Sequence, residues 1–478
     1  MNTFTKKILL LLFSLIILSL TLPRLILNYG FERDTVRGVL AADHFVKTGI
    51  YIPSRLPGNP LFEYVLAAIA PWGKHVATNT FVLLTYCLAL WAFSCLAKKY
   101  NHALLLILLF AATPLILLYA VTTKDYISGL ALILCAYIAV QKDYVALSFI
   151  LTGLAAGMRL SNFLFLVPLA LFLLMNRQKL LKIIALTMLG LCVGLVLYLP
   201  VLSRYGLQMF IIPPSHLNPK DYLFKTAYNL IMLFGPITSL GIAGMFLLNI
   251  KNIRQSVVQN MPSFILEAST VILFIVLFLR HSDQTAYLIP VIPFAYLIFA
   301  QIFSHKQLML VVVLVISFAF FTVELKGGDS GHRKITPYLS WGILVKDYQN
   351  RKSLNDLRRA MTHYAWPDKT FILTGAGPIV TYNNPGLEPS SLKTIIPGSP
   401  LGHVWESVNV QKIKDKDVYF VYALSEDLAK ALQKKGYTLY IFSEGAPGIV
   451  MNVYKYDPYR IGIQKLDVFC DKPFYRQR

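Results

Sequence analysis

Charged side chains are scarce in this sequence of 478 residues, and acidic side chains are the scarcest of them. Only 14% of the residues are charged, with 24 Asp and Glu against 45 Lys and Arg. Because soluble domains carry about a quarter charged residues, this composition excludes an ordinary water-soluble globular protein. Instead, 56% of the residues are hydrophobic. Apolar runs of roughly 18 residues or more, long enough to cross a bilayer, recur up to about Glu324.

Cysteine is also rare, with five in the chain. Cys87, Cys95, Cys135 and Cys192 lie in apolar segments, and Cys470 alone lies in the polar C-terminal part, which therefore contains no internal disulfide. There is no Cys-x-x-Cys pair and no zinc-ligand spacing, so a structural zinc site of the usual kind is excluded. Cysteine usage leaves the compartment undecided.

The net charge of +21 has a specific distribution along the chain. Many of the cations lie in short loops between apolar runs, which is the pattern of cytoplasmic loops in membrane proteins. The charge therefore predicts contact with membrane lipids or with a phosphorylated substrate, rather than with nucleic acid.

We predict a polytopic α-helical membrane domain over residues 1–324, followed by a soluble α/β domain over 325–478. With the N-terminus inside, the basic loops fall on the cytoplasmic side of a bacterial inner membrane. The long segment 28–75 and the C-terminal domain then lie outside the cytoplasm, and residues 59–73 lie at the outer interface. About eleven transmembrane helices are predicted, near 8–27, 76–97, 103–120, 126–141, 144–157, 162–175, 183–200, 227–249, 264–280, 285–303 and 307–324.

Four charged motifs fall on the outer face in this topology. Charged groups near a bilayer are energetically expensive and tend to mark functional sites. The motifs are FERD (31–34), TTKD (122–125), GMRL (157–160) and HSDQ (281–284).

The first motif opens an amphipathic helical pattern, with apolar residues at Val36, Val39, Leu40 and Val46. Asp34 has two interpretations that are compatible with each other. It caps the helix N-terminus, and it is placed to remove a proton from an acceptor hydroxyl or amine.

Three further cations are candidates for phosphate binding. Arg55 lies in a proline-rich turn, where a planar guanidinium suits phosphate, although a snorkelling arginine is equally consistent. Lys124 precedes Asp125, which is either a helix cap or an acidic site residue. Arg159 either pairs with a carboxylate or binds phosphate.

In the last motif, His281 and Asp283 are predicted to contact donor phosphate or sugar, against the simpler interpretation of a solvated loop.

The set of motifs resembles one family group. The acidic outer loop, SRLPGNPLFEYVLA (54–67), the aspartate after the third helix, GLAAGMRLSN (153–162) and AYLIPVIPF (286–294) are similar to those of integral-membrane glycosyltransferases with the GT-C fold. The resemblance covers about 30–300 and is nearest to the protein O-mannosyltransferase and lipid A aminoarabinose transferase branch.

The resemblance implies transfer of a sugar from a polyprenyl-phosphate carrier to an acceptor outside the cytoplasm. It assigns acid and base chemistry to Asp34, Glu32 and Asp125. Because Arg33 separates the two carboxylates of the first loop, the choice of base between Glu32 and Asp34 stays open. The predicted substrate-binding and phosphate-binding residues are Arg33, Arg37, Arg55, Lys124, Arg159, His281 and Asp283.

The sequence leaves several alternatives open. Relatives differ over a divalent metal ion, and no ligand cluster is dense enough to assign one here. The acceptor can be a lipid, a glycan or a protein. A transporter or flippase of lipid-linked glycans is the second hypothesis, but it predicts ionisable residues near mid-membrane and inverted repeats. A noncatalytic membrane scaffold is the third.

The C-terminal part has the pattern of a small α/β domain. Helices are predicted at 353–365 and 425–436, and strands at 369–375, 417–424, 437–443 and 448–456.

Overall fold

The computed structural model divides the chain into two compact units. The first comprises Met1–Tyr29 and Ala41–Asp347, and the second comprises Gly30–Leu40 and Tyr348–Arg478. The residues that the structure describes are 16–30, 32–55, 57–207, 219–280, 282, 284–326, 336–363, 367–373, 388–389, 409–413, 416–421, 432, 434–442 and 463–465.

Most of the described chain up to residue 320 is helical. Two short 3-10 helices, Leu160–Phe165 and Thr285–Leu288, interrupt the α-helical sequence. The α-helices, numbered α1 to α15, are Ile16–Leu25, Arg33–Thr48, Pro60–Ala97, Ala103–Ala112, Pro114–Tyr119, Asp125–Gln141, Val145–Met158, Leu166–Met175, Leu180–Tyr205, Pro219–Met232, Pro236–Leu248, Ile250–Gln259, Met261–Arg280, Val291–Ile302 and His305–Phe320.

Three of these helices, α3, α9 and α13, are long and apolar enough to cross a membrane. Helices α10 and α11 count as a fourth span if the pair, bent by 82°, is one broken span. Several shorter apolar helices of 10–17 residues accompany them. The chain is therefore a mostly helical, multi-pass integral membrane protein. The predicted number of about eleven spanning helices is not confirmed among the described residues.

Proline breaks two helices that the sequence predicts as continuous. The segment 103–120 is divided between α4, which ends at Ala112, and α5, which begins at Pro114. The segment 227–249 is divided in the same way between α10 and α11, which begins at Pro236 after Gly235 with φ of +92°. Proline has no N–H to donate and clashes with the preceding turn, so it favours the first turn of a new helix.

Helix α3 joins two segments that the sequence predicts as separate, the interfacial 59–73 and the spanning 76–97. Its backbone leaves the helical conformation at Gly73 and Lys74, just after Pro71, and Lys74 has a φ of 50°. Pro71 weakens the hydrogen bonding of the turn before it, and Gly73 tolerates the non-helical backbone at the break. Two helical halves therefore meet near residue 73, where the sequence predicts a boundary between separate elements.

The amphipathic pattern of 34–46 forms α2. Val36, Val39 and Leu40 are buried, as predicted, whereas Val46 is 52% exposed and does not belong to the buried stripe. The helix begins at Arg33. Asp34 therefore lies in the first turn and not at the capping position before it. In the first turn its negative charge is stabilised by the positive end of the helix dipole.

Helix α7 packs against both α6 and α9 in the first unit. Small residues make the approach of α7 and α9 possible. A Cβ atom on Gly153 would lie 2.5 Å from the backbone oxygen of Gly190 and 2.8 Å from Cβ of Val193. Close backbone packing through glycine is typical of membrane helix pairs. This packing fixes the C-terminal end of α7, where Arg159 follows.

Gly153→Ala is expected to destabilise the protein, although alanine favours helices. The added methyl group must push α9 away from α7, at a cost of about 1–3 kcal/mol for overpacking. Gly244→Ala in α11 is the matched control, because a Cβ there has nothing within 4 Å. Thermal unfolding in detergent should show a lower midpoint for Gly153→Ala and an equal or higher midpoint for Gly244→Ala. Equal behaviour of the two variants would contradict the packing argument.

The helical part of the first unit ends at Phe320, so the prediction of helix to residue 324 is wrong at its C-terminal end. The chain continues as β1, Phe321–Lys326, which pairs antiparallel with β2, Thr336–Trp341. Phe321, Thr322 and Val323 all have β-favouring side chains, which suit a strand better than a helix.

The described strands of the second unit, β3 to β8, are Thr370–Leu373, Glu388–Pro389, Asn409–Ile413, Lys416–Val421, Thr438–Phe442 and Ile463–Lys465. They form a six-stranded mixed sheet in the order β4-β5-β6-β3-β7-β8. The central strands β6, β3 and β7 are parallel, and the outer pairs are antiparallel.

The three central strands lie where the sequence predicts strands, and the predicted helix 353–365 lies mostly within the longer α16, Ile343–His363. Most of the predicted helix 425–436 and all of strand 448–456 lie outside the described residues.

Candidate active site

Asp125 is the centre of a buried charged cluster in the first unit. It is the first residue of α6, and its side chain is only 3% exposed. Its Oδ1 accepts a hydrogen bond from Nη2 of Arg55 at 2.6 Å, and its Oδ2 accepts one from Nη1 of Arg159 at 2.9 Å. The carboxylate also lies at a helix N-terminus, where the helix dipole favours negative charge. Two charge-assisted hydrogen bonds therefore hold one buried carboxylate between two guanidiniums.

Arg55 reaches Asp125 from the connection between α2 and α3. Gly58 shapes this connection, because its φ of +93° suits glycine and an added Cβ would lie 2.8 Å from Oη of Tyr51. The carbonyl of Gly58 accepts a hydrogen bond from the hydroxyl of Tyr198 on α9 at 3.3 Å. Asn59 contributes when its amide is assigned with the oxygen toward Arg55, since that oxygen then accepts from Nε and Nη2. The turn that carries Arg55 is thus fixed on several sides.

Arg159 lies between α7 and the following 3-10 helix, with extended backbone. Its guanidinium carbon lies 4.2 Å from the ring centre of Tyr126 and 4.7 Å from that of Tyr287. Its Nε donates to Oγ of Ser161 at 3.1 Å. Burial lowers the pKa of Arg159, but Tyr126 and Asp125 more than offset this, so its pKa is raised and the group stays charged. The two rings and the carboxylate hold the cation in one orientation.

Lys124 is also buried in this region. Its Nζ lies 5.2 Å from the ring centre of Tyr126 and 5.6 Å from that of Tyr119. The preceding residue, Thr123, fixes the loop, because its amide donates to the carbonyl of Tyr29 at 3.0 Å and its hydroxyl donates to Asn79 at 2.7 Å. The loop before Asp125 is therefore held in place by hydrogen bonds of Thr123, and the phosphate-binding role of Lys124 stays a prediction.

Among the residues that the structure describes, the cluster carries more positive than negative charge. Arg55, Lys124 and Arg159 surround the single carboxylate of Asp125, and all four are largely removed from solvent. Buried arginines need a partner, and here Asp125 supplies it. Of the two interpretations of Arg159, the structure shows the carboxylate pair. The excess of positive charge is suited to an anion such as a phosphate group.

The residues of the FERD motif belong to the second compact unit. Within it, Asp34 lies 3.7 Å from Nη1 of Arg37 in an i,i+3 ion pair. The carbonyl of Glu32 accepts from the amide and hydroxyl of Thr35, at 3.1 and 2.6 Å. Arg33 is the first residue of α2, and its side chain lies outside what the structure describes. The prediction that these residues act together with Asp125 stays a prediction.

His281 and Asp283 lie outside the described residues, but their neighbours contact the cluster. Gln284 accepts a hydrogen bond from the hydroxyl of Tyr126 at 2.9 Å. Asn229 on α10 donates to the carbonyl of Ser282 at 2.6 Å. The segment that contains the HSDQ motif is therefore bonded to the same tyrosine that stacks on Arg159.

Sequence reasoning missed the aromatic part of the site. Tyr287 lies in the AYLIPVIPF motif without a predicted role in binding, yet it stacks on Arg159. Tyr126 has no assigned role, although its position directly after Asp125 is a usable signal. Glu63 is missed as well, and an isolated acidic residue within an apolar helix is the signal that would have found it. Burial, and then the nearby Glu63 carboxylate, raise the pKa of Tyr51 well above its ordinary value, so this phenol remains a donor.

The described part of the chain contains no cluster of potential metal ligands. No group of three or more His, Cys, Asp or Glu side chains is placed there to hold a metal ion. Both carboxylate oxygens of Asp125 accept from arginines. A cationic surrounding of this kind fits an anion better than a metal ion.

Comparisons with known proteins give matches among solved structures. No protein-family model and no curated protein matches the chain. ArnT from Cupriavidus metallidurans matches in the apo state, with 18% identity, a TM-score of 0.45, and coverage of 62% of this chain and 59% of that chain. ArnT bound to undecaprenyl phosphate matches with the same identity and TM-score, over 61% of this chain and 59% of that chain. The match thus spans less than two thirds of ArnT.

Proposed function

We propose that this chain is a glycosyltransferase that moves a sugar from a polyprenyl-phosphate carrier to an acceptor on the outer face of the membrane. The observation that carries the proposal is the buried cluster in which Arg55, Lys124 and Arg159 surround Asp125. A cationic site at the ends of apolar helices suits a substrate with a phosphate headgroup and a long hydrocarbon tail. The motifs that resemble GT-C enzymes support the same function.

The proposed reaction needs one proton transfer and one leaving group. The acceptor loses its proton to a carboxylate as its oxygen or nitrogen attacks the anomeric carbon. The bond between that carbon and the phosphate oxygen breaks, and polyprenyl phosphate leaves with the bonding electrons. Arg55 and Arg159 stabilise the negative charge on the departing phosphate, because preorganised cations in a dry site act strongly on developing charge.

Asp34 is the proposed base, with Glu32 as the alternative of the first loop. A positioned carboxylate raises the rate of such a proton transfer by about 10²–10⁴-fold. Asp125 has a different proposed role, because its two oxygens already accept from arginines. It orients the guanidiniums and keeps their charge compensated before the donor binds. A divalent metal ion is not required by any of these steps.

The transporter hypothesis predicts ionisable groups in the middle of the spans. The cluster lies instead at helix ends, since Asp125 begins α6 and Arg159 directly follows α7. The charge distribution therefore favours the transferase over the transporter.

The direct test uses the full chain in detergent or liposomes with defined polyprenyl-phosphate sugars. Release of polyprenyl phosphate together with a glycosylated acceptor is the expected result. Mass spectrometry of surface glycans and lipid A from a deletion strain identifies the acceptor class, because the missing sugar marks it. An unchanged glycan and lipid A profile, together with no turnover of any donor, would overturn the proposal.

A further inference from the structure

Glu63 is a buried carboxylate with no role in the reaction described above. It lies in the first turn of α3, within a predominantly apolar helix. Its oxygens accept hydrogen bonds from the hydroxyls of Tyr51 and Ser54. They also accept from the backbone amides of Ser54, at 3.1 Å, and Asn59, at 3.4 Å. One carboxylate thus receives four hydrogen bonds from a single short segment.

The four donors lie on both sides of Arg55 in the sequence. Ser54 directly precedes it, and Asn59 follows four residues later. Segment 51–59 is therefore wrapped around the carboxylate, while the side chain of Arg55 extends to Asp125 at 2.6 Å. A movement of this segment would move the guanidinium with it.

The chemistry of a carboxylate explains why glutamate suits this position. An ionised carboxylate accepts several hydrogen bonds and donates none. A glutamine has one acceptor oxygen, so its NH₂ group would face either the Tyr51 hydroxyl, which donates to Oε2, or the Ser54 and Asn59 donors, which share Oε1. Burial of a charge is costly, and each of these four donors is uncharged, so the segment has to compensate the charge with a complete hydrogen-bond shell. That requirement gives the segment one conformation.

We propose that Glu63 is a positioning residue, which fixes segment 51–59 and thereby holds the Arg55 guanidinium in place for the donor phosphate. This inference rests on the proposed function for the identity of the ligand. Glu63 itself does not contact the substrate. Its effect on transfer passes through Arg55.

The kinetic test compares Glu63→Gln, Arg55→Gln and the double variant in the full chain, with a defined polyprenyl-phosphate sugar as donor. Misplacement of Arg55 weakens phosphate binding, so Glu63→Gln should raise KM for the donor about tenfold and lower kcat/KM up to about a hundredfold. Once Arg55 is absent, the added Glu63→Gln should change kcat/KM by less than about twofold, because coupled residues are not additive.

Glu267→Gln is the matched control. Glu267 is another fully buried glutamate, and it accepts hydrogen bonds from Tyr137 at 2.8 Å and from Gln301 at 2.6 Å, away from the segment. It loses the same formal charge, although Glu267 also faces the ammonium group of Lys99 at 3.5 Å, whereas the four donors to Glu63 are uncharged. A general loss of folded protein lowers the apparent kcat at an unchanged KM, which is the result expected if Glu267→Gln affects folding alone. The same pattern in Glu63→Gln, or additive losses in the double variant, would overturn the positioning role.

Amide hydrogen exchange tests the positioning role of Glu63 independently of sugar transfer. In Glu63→Ala, the amides of Ser54 and Asn59 lose Oε1, the acceptor that they share, and should exchange faster, whereas Glu267→Ala should leave them unchanged. If the wild-type chain transfers no sugar but these amides respond, the proposed function fails and the positioning of the segment stands. If the amides do not respond, the inference fails whatever the activity.

Discussion

Asp34→Asn is expected to abolish sugar transfer while the protein still accumulates in the membrane. The substitution keeps the size of the side chain but removes its capacity to take a proton from the acceptor. Loss of a positioned general base should lower kcat by about 10²–10⁴-fold. The measurement is the rate of polyprenyl phosphate release by purified wild-type and variant chains at equal concentration.

Asp43→Asn is the control for this experiment. Asp43 lies on the same helix, one elementary charge is lost in both variants, and its exposed carboxylate forms an i,i+4 pair with Lys47. Its substitution should leave the rate within about twofold of wild type, because surface ion pairs contribute little. Glu32→Gln completes the set, since the sequence leaves the choice of base open between the two carboxylates. Full activity of Asp34→Asn with loss of activity in Glu32→Gln would transfer the role to Glu32, and full activity of both would exclude a base in this motif.

Part of the charged cluster was predictable from the sequence because charge is so rare in this chain. Lys124, Asp125 and Arg159 stand out from apolar surroundings, and Arg55 stands out from a proline-rich turn. The pairing of both arginines with Asp125 was not predictable, because it joins residues 70 and 34 positions apart through helix packing. The same reasoning missed Tyr287, since an aromatic residue in an apolar chain carries no local sign of its partner.

The fold was predictable to a similar degree. Apolar runs located most of the helices, because the length of an apolar run is visible in the sequence itself. Their breaks depend on the local backbone, as at Pro114 and Pro236, where proline starts a new helix inside a continuous apolar run. Val46 continues the periodic pattern of α2 but is exposed. The periodicity of apolar residues identifies a helix and the face that it buries. The length over which neighbouring elements cover that face determines where burial ends.

Asp125→Ala is expected to have the second large effect, because it should lower both the stability of the protein and the rate of sugar transfer. Removing the carboxylate leaves Arg55 and Arg159 close together, with exposures of only 21% and 14%. Loss of one partner from a buried ion cluster costs about 3–5 kcal/mol, because the remaining charges are desolvated without compensation. Thermal unfolding in detergent should therefore show a clear decrease for Asp125→Ala, whereas Asp43→Ala at the exposed pair should change the midpoint little.

A double variant distinguishes charge compensation from simple packing. If uncompensated charge causes the instability of Asp125→Ala, then adding Arg159→Met should recover part of the lost stability, because one unpaired cation is removed. If lost packing is the cause, the second substitution should destabilise the protein further, since Arg159 also stacks on Tyr126 and Tyr287. The double variant should not regain transfer, because the donor phosphate would lack one of its two proposed guanidinium contacts. Transfer at the wild-type rate in Asp125→Ala would show that the cluster is structural only.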